Sequence, residues 1–565
     1  MRLLRINGEI ADIDEKTAIG IDLQAYDFKE PGHLKVNVSN TFSIPATAKN
    51  MRILGSPGNP SRVDNTIYQR INIDYQVRNT LYIKQGAARI TSIKEGRINL
   101  FVAERVTAID AMKEVKFIDF VTDWFNNQIH PTFTTFQELA DFYADKDSGI
   151  ALRTVYSHSS DTMLETFGYG RGAWRTLTGI GTVITEEDGG SLEDNSFGGH
   201  FVVYINSLFD HIEAYFGGAL FSRTGASYTI FQDSIFNKLY ISFQNIQCSL
   251  SALQLEFLQP TENVALSYKD LTLYDFFDTT LKLLGYGIEV VNGKIDFVRL
   301  DLMHTVPSSG DLLPGYPESD YQFKNEYIPS IEGYGIQSII KMKVASGLDE
   351  LTGAKIIQSD NQNLQAKKDL FTINALIPEV LKAGRQNSSS TAFEVVYLPI
   401  LRDYSSFCFM LDKGPKYIGI VYKQIRTTGS WDDVDTGEGN YAITNVYLPE
   451  IYSVASEYNF LDNILKSPES YKIKRWVTAS QLEGFRKIAP YYVPELGRWV
   501  FVNKIKGFNP VKSKQPVEFE LIKLPWVRMP QLPEKPIEIS DRWIFETGYW
   551  DDGGIWKDSE NWAFN

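Results

Sequence analysis

The 565-residue chain is poor in the side chains on which enzymes and metalloproteins most depend. Its two cysteines, Cys248 and Cys408, are too few for a disulfide framework or a cysteine-rich zinc site. Cys408 lies in the apolar run FCFML, where a buried free thiol is expected. The six histidines are His33, His130, His158, His200, His211 and His304, and no pair has the spacing of a metalloprotease helix. His211 and Glu213 are two apart on an expected helix, hence on different faces. Neither a G-x-S-x-G nucleophile elbow nor a phosphate-binding Walker loop occurs. Seventy acids guarantee chance carboxylate pairs, so none stands out as a glycosidase acid and base. Residues 431–440, WDDVDTGEGN, place Asp433, Asp435 and Gly437 in a calcium-like order but lack the in-register glycine and distal glutamate of an EF-hand. A surface acidic turn is expected there. No catalytic residue, metal or cofactor is expected, and no enzymatic activity.

Positive charge is also short. Lys and Arg number 56 against 70 Asp and Glu, a net charge of −14, which argues against stable nucleic-acid binding. Lys367, Lys368 and Arg385 make at most a modest basic spot, with no interleaved aromatics for single-strand stacking. An acidic surface suits a sleeve that DNA passes transiently, and solubility explains it as well. No stretch of ~18 apolar residues occurs, and the opening MRLLRINGEIADIDEK has no apolar core, so synthesis in the cytoplasm without an export signal is expected.

What is present is the material of a folded, β-rich chain. Apolar residues make up 43% and charged residues 22%, which excludes disorder as the default. The 34 Phe and 30 Tyr favour strands and interfaces over helical bundles. The length calls for several domains.

Strand and turn signals dominate residues 1–115. Asn7-Gly8 between two apolar runs predicts a type I′ hairpin, and Lys94-Glu95-Gly96 a second turn. In SNTFSIPATAKNMRILG (39–55), Thr41, Phe42, Ser43 and Ile44 alternate as in a half-buried strand, and Pro45 ends it. Helical spacing then appears at Phe117, Phe120, Val121, Trp124 and Phe125, and again at Phe136, Leu139, Phe142 and Tyr143. Residues 185–199, TEEDGGSLEDNSFGG, predict an exposed loop. A helix is predicted over 201–216, its stripe of Ile205, Leu208, Phe209, Ile212, Tyr215 and Phe216 serving as a core face. Another is predicted over 271–284, opened by a Thr272–Asp275 capping box and followed by a hairpin turning at Asn292-Gly293. Residues 346–390 are polar and weakly patterned and predict a long loop or boundary. A small module over 461–524 holds a helix at 479–487 and strands, the last with Phe519 and Leu521 on one face and Glu518 and Glu520 on the other.

Three of these phrases carry a resemblance. FSIPATAKN, LYDFFDTTLKLLGYGIEVVNGKIDFVRL and RWVFVNKIKGF…PVEFELIKL resemble segments of tail-associated structural proteins of phages and prophages of the Bacteroidota. The resemblance implies a virion tail component of tail-tip, baseplate or hub type, forming a homo-oligomeric ring or trimer around the tail axis. Its partners would be other phage tail proteins, with DNA passing only transiently. The mechanism would be mechanical: strand-edge and aromatic contacts interlock subunits and link the channel to fibres or a spike.

The last 23 residues hold four of the ten tryptophans, Trp543, Trp550, Trp556 and Trp562. So short a segment cannot bury four indoles, which makes them candidate subunit-docking residues. Pro525, Pro530, Pro533 and Pro536 precede them as a semi-rigid linker with a reach on the order of 35 Å. Two other readings remain: a host-receptor or glycan-binding adhesin using these tryptophans, and a hydrolase of surface polysaccharide or peptidoglycan. The expected architecture is β-rich, multidomain α+β: a β barrel or sandwich at 1–115, an α+β domain with an acidic loop at 116–260, a helix-plus-hairpin unit at 261–345, a β-rich domain with a polar loop at 346–460, the small β module at 461–524, the linker at 525–537 and the tryptophan-rich tail at 538–565.

Overall fold

Asn7 and Gly8 both take positive φ, 51° and 85°, as a type I′ turn requires. They join β1 (Arg2–Ile6) to β2 (Glu9–Ile10). The computed structural model describes residues 2–15, 17–24, 37–57, 71–78, 80–103, 107–128, 149–153, 156–157, 200–218, 220–223, 230–243, 246–249, 254–257, 268–291, 294–301, 312–317, 326–328, 333–386, 393–401, 405–422, 441–454, 457–482, 485–486, 488–512, 514–525, 549–550 and 556–557. The first layer continues with β3 (Ile21–Leu23), β4 (Val38–Ser39), β5 (Phe42–Pro45), α1 (Ala48–Ile53), β6 (Ile71–Val77), β7 (Thr80–Lys94) and β8 (Arg97–Ala103). Strands β6, β7 and β8 form an antiparallel meander, with β1 on the far side of β6. Their period-two alternation puts Ile73, Tyr75, Ile98, Leu100 and Val102 into one core with Leu4, Ile6, Phe42 and Ile44. Burial pushes the Tyr75 phenol up to about 12.

The middle of the chain is a mixed layer around an aromatic core. Its first elements are α2 (Thr107–Glu114), α3 (Phe117–Asn126), β9 (Ile150–Arg153), β10 (Tyr156–Ser157), β11 (His200–Tyr204), α4 (Ile205–Tyr215) and β12 (Leu239–Ser242). The hairpin of β13 (Ile246–Ser249) and β14 (Gln254–Phe257) precedes α5 (Leu273–Leu283). The Thr272–Asp275 capping box is formed in both directions, and the hairpin of β15 (Tyr286–Val291) and β16 (Lys294–Arg299) follows as the sequence predicts. The aromatic stripes are core faces: Phe117 stacks on Phe276 at 4.7 Å and meets Phe407 edge-on at 5.1 Å. Phe209 packs against Phe236, Phe276 and Phe277. Tyr215, by contrast, lies at the rim, 40% exposed.

Two expectations for this middle layer need correction. Residues 200–204 are a strand between β9 and β12, and the helix begins only at Ile205. The β-branched Val202 and Val203 are buried there, as a central strand allows. Nor is the described part of 346–390, residues 346–386, one long loop. After β17 (Tyr316–Pro317), β18 (Glu326–Ile328) and β19 (Gln337–Val344), this stretch supplies β20 (Lys355–Gln358), β21 (Lys367–Ile377) and β22 (Glu379–Gln386). The β20–β19–β21 sheet buries one face, with Ile357, Ile373, Ala375 and Ile377 inward and Lys367, Lys368 and Asp369 exposed. Polar residues on the wet face diluted the apolar signal. Beyond lie β23 (Phe393–Leu401), β24 (Met410–Tyr422), β25 (Tyr441–Ile451) and α6 (Asn459–Lys466). The stretch 136–143, the acidic loop 185–199, the turn at 292–293, the calcium-like loop 431–440 and residues 526–537 of the linker fall outside the described residues.

The last elements are β26 (Ser470–Val477), α7 (Ala479–Leu482), β27 (Pro490–Val493), β28 (Arg498–Phe508), β29 (Gln515–Lys523), β30 (Tyr549–Trp550) and β31 (Trp556–Lys557). Of the helix predicted over 479–487, the described residues form the single turn α7. Phe519 and Leu521 are fully buried, with Glu518 and Glu520 on the other face, as predicted. No sheet closes into a barrel among the described residues. The first layer instead opens into a 14-stranded sheet in the order β17-β26-β29-β28-β3-β4-β8-β7-β6-β1-β2, with β5 on β8, β18 on β26 and β27 on β28. The link between its halves is β3 against β28, where Leu23 faces Ile505 and Ile21 faces Phe508.

Candidate assembly site: a polar lock, a seam and a tryptophan hairpin

The phrase FSIPATAKN builds a hydrogen-bonded lock. Its centre is Asn50, 0% exposed, in the short helix α1. The Asn50 amide donates to the carbonyls of Asp12 and Pro45, both at 2.8 Å, and its Oδ1 accepts from the Asp12 N–H at 2.8 Å. Thr47 caps α1 by accepting from the Asn50 N–H and donates its own hydroxyl to Asp12 at 2.7 Å. A second bolt sits alongside. Arg97 grips Asp14 through both terminal nitrogens, at 2.7 and 3.1 Å, and donates to the Ser43 hydroxyl and carbonyl. The guanidinium bonds, helped by the Thr17 hydroxyl, hold the Asp14 carboxyl well below the usual carboxylate range. The single Thr17 hydroxyl proton lies within reach of Asp14 at 2.8 Å and of the Ser43 carbonyl at 3.1 Å. Asn50 and Thr47 thus bond Asp12 of the strap 11–20 directly, while the Ser43 hydroxyl holds Arg97, which in turn holds Asp14.

That strap leads directly to the seam. Gly20 passes close to Asn40: a Cβ there would lie 2.5 Å from its Nδ2, so a larger residue would require the exposed Asn40 side chain to turn aside. Two residues on, Asp22 bridges Lys504 at 3.1 Å and accepts from the Gly507 N–H at 2.8 Å, a bond spanning 485 residues. Tyr82 of β7 and Phe508 of β28 touch across the same junction, ring centres 5.8 Å apart. On its other side, the C-terminal part of the sheet carries the middle layer. Trp499 and Phe501 join the aromatic core, while Val500 and Val502 face the small core of β26–β29. Glu289 of β15, 4% exposed, accepts the Ile488 N–H at 2.9 Å, and Arg486 bonds Asp296 at 3.2 Å.

Of the four candidate tryptophans, the described backbone includes two. Trp550 and Trp556 are directly opposite in the β30–β31 hairpin. Trp543 and Trp562 lie outside the described residues. A separate feature was not visible in the sequence: β22 pairs with β23 over eight positions without a bulge, and no strand pairs with its other edge among the described residues. An edge strand without a bulge presents its backbone groups for a further strand.

Chemistry of other kinds finds little here. Among the described residues no group of three or more His, Cys, Asp or Glu could hold a metal ion. His211 of α4 contacts Asp123 of α3 at 2.9 Å, while Glu213 holds Arg223, so the two serve different contacts. Cys408 is buried, its thiol pushed up to about 12 by desolvation. No described helix is long and apolar enough to cross a membrane. The lock residues Asp12, Asp14, Asn50 and Arg97 were missed as a unit, because their partners lie up to 83 positions apart in sequence.

No protein-family model matches the chain, and no curated protein matches it. Among solved structures it is similar to a 43 kDa tail protein of prophage MuSo2 from Shewanella oneidensis, with 10% identity, 93% of this chain and 98% of that chain covered, and a TM-score of 0.33. It is also similar to prophage tail protein gp18 from Listeria monocytogenes EGD-e, with 8% identity, coverage of 92% and 94%, and a TM-score of 0.30. The third is a chain of the Francisella PdpA–VgrG complex, with 12% identity, coverage of 94% of this chain and 59% of that one, and a TM-score of 0.29. Two of the three are therefore prophage tail proteins, at scores too low to define a common fold.

Proposed function

We propose that this chain is a structural component of a bacteriophage tail, of tail-tip, baseplate or hub type, located in the virion. It works with other tail proteins as a homo-oligomeric ring or trimer around the tail axis and has a mechanical rather than a catalytic role. One observation carries most of the reading. The two phrases at opposite ends that resemble phage tail proteins, FSIPATAKN and RWVFVNKIKGF, supply strands of one and the same 14-stranded sheet. A broad continuous sheet that unites the chain's ends suits a part that must bear load and keep its shape. The flat edge of β22 offers a place for a neighbouring strand, and the tryptophan hairpin, tethered by a proline-rich linker, offers an anchor. The net charge of −14 fits a wall that DNA passes without adhering.

A truncation after Pro536, expressed in place of the full chain during particle assembly, tests the docking role of the tail. The truncated chain should fold, keep its Trp499 core and fail to enter particles. Normal incorporation would remove the docking role from Trp543, Trp550, Trp556 and Trp562. Specific sugar binding by the full chain, lost in the truncation, would favour the adhesin instead. Turnover of purified cell envelope by the full chain would overturn the non-catalytic reading.

A further inference from the structure

The lock and the seam are joined by one short strap, and that continuity has a mechanical consequence. We propose that FSIPATAKN is a latch for the seam: by fixing residues 12–17 it sets the position of β3, and so decides whether the first layer and the C-terminal module form one sheet. The seam is narrow among the described residues. Two residue pairs join β3 to β28, with a register shift between them, and Leu23 and Tyr82 pack against both the first-layer core and the small C-terminal core. Around them stand Asp22 with Lys504 and the Gly507 N–H, and the Tyr82–Phe508 contact. A junction of that size does not hold two separate cores in register unless its strand arrives already positioned.

The strap provides that positioning. Asp12 is held at its N–H, carbonyl and carboxylate by Asn50 and Thr47. Asp14 is held by Arg97, and Thr17 by the Ser43 carbonyl. The Thr17 carbonyl accepts from Arg2 at 2.9 Å, Ile19 is buried at 1% exposure, and the Gly20 carbonyl accepts from Asn40 N–H at 2.8 Å. From Asp12 to Gly20 the backbone is therefore pinned at several points, and Ile21 and Asp22 are delivered against Ser39 and Val38 of β4. The face of β3 turned toward β28 is set by bonds made before the seam is reached. The polar residues of the phrase, which do no chemistry, serve to prepay the ordering of the strand that couples the two ends of the chain.

Native-state hydrogen exchange on the full chain, read peptide by peptide, tests the latch. Arg97→Met and Asn50→Ala remove different bolts, and Thr17→Val is the milder variant should either fail to fold. Each should speed exchange at residues 20–24 and at the Gly507 amide by about tenfold or more, the scale of one lost charge-assisted bond. Exchange in β26–β29 pairing and at the Leu100 core should stay as in the parent chain. Asp22→Ala, which removes the acceptor of the Gly507 N–H, should loosen Gly507 while residues 11–17 stay protected. Arg52→Ala, which breaks an exposed pair with Glu9 on the same layer, should leave the seam unchanged. The proposal is overturned if Arg97→Met frees the strap but leaves Gly507 protected. It is equally overturned if all strands of the first layer loosen together with the seam, since the residues would then serve only the general stability of that layer.

Discussion

The two halves of the 14-stranded sheet are buried in different ways. In the first layer, β6 and β8 each turn one face inward, and alternate residues such as Asn72 and Arg97 remain at least partly open to solvent. In the C-terminal half, β28 is buried on both faces, Trp499 and Phe501 toward the aromatic core and Val500 and Val502 toward the small core. A strand covered on both sides reads as an unbroken apolar run, and WVFV is one. The difference assigns the halves separate tasks. The C-terminal half is the fulcrum on which the middle layer is built. The first layer depends for its attachment to that half on the seam and its latch.

The largest expected effect breaks the comparison on the fulcrum side. Trp499→Ala should cost about 3–5 kcal/mol and loosen the middle layer and the small module together. Ile98→Ala, deep in the first layer, should cost a similar or slightly smaller amount, about 2–5 kcal/mol, but leave the middle layer intact. Cys408 reports which has happened, because its buried thiol reacts only when the aromatic core opens. Alkylation at Cys408, read by peptide mass, should accelerate in Trp499→Ala and not in Ile98→Ala; equal acceleration in both would show that the halves unfold as one.

A smaller effect is expected at the lock. Asn50→Ala leaves the Asp12 and Pro45 backbone groups without their partner and should lower the local opening free energy of residues 12–24 by about 1–3 kcal/mol in native-state exchange, with the Leu100 core unchanged. The smallest effect is one of pH. The Asp14 carboxyl titrates below its ordinary value because Arg97 and Thr17 stabilise the charged form. Its contribution is therefore complete above its unfolded value, near ~3.9, and is lost as pH falls below that toward the folded value. Thermal unfolding of the first layer should decline below pH ~4, and Asp14→Asn should flatten that decline. An unchanged acid limb in the variant would remove Asp14 from the account.

The sequence was most legible where the signal is local. Asn7-Gly8, the Thr272–Asp275 capping box and the alternation in β29 depend on neighbours within a few residues, and all three stand in the structure. The errors came where neighbours are distant. Residues 200–204 have helix-compatible spacing, but β9 and β12 claim them as a central strand. The stretch 346–390 looks like a loop because one face of its sheet is wet. The site divides in the same way. Tryptophan spacing was visible at once, whereas the lock and the seam are closed by bonds between residues as far as 83 and 485 positions apart and have no local signature. FSIPATAKN could be recognised as a phrase but not explained until Asp12, Asp14 and Arg97 stood beside it.

Electron microscopy of an intact particle whose copy of this chain carries a small internal tag tests the central claim most directly. The tag is expected in the tail, repeated with rotational symmetry around its axis. Particles complete without the chain, or a tag found away from the tail, would contradict it.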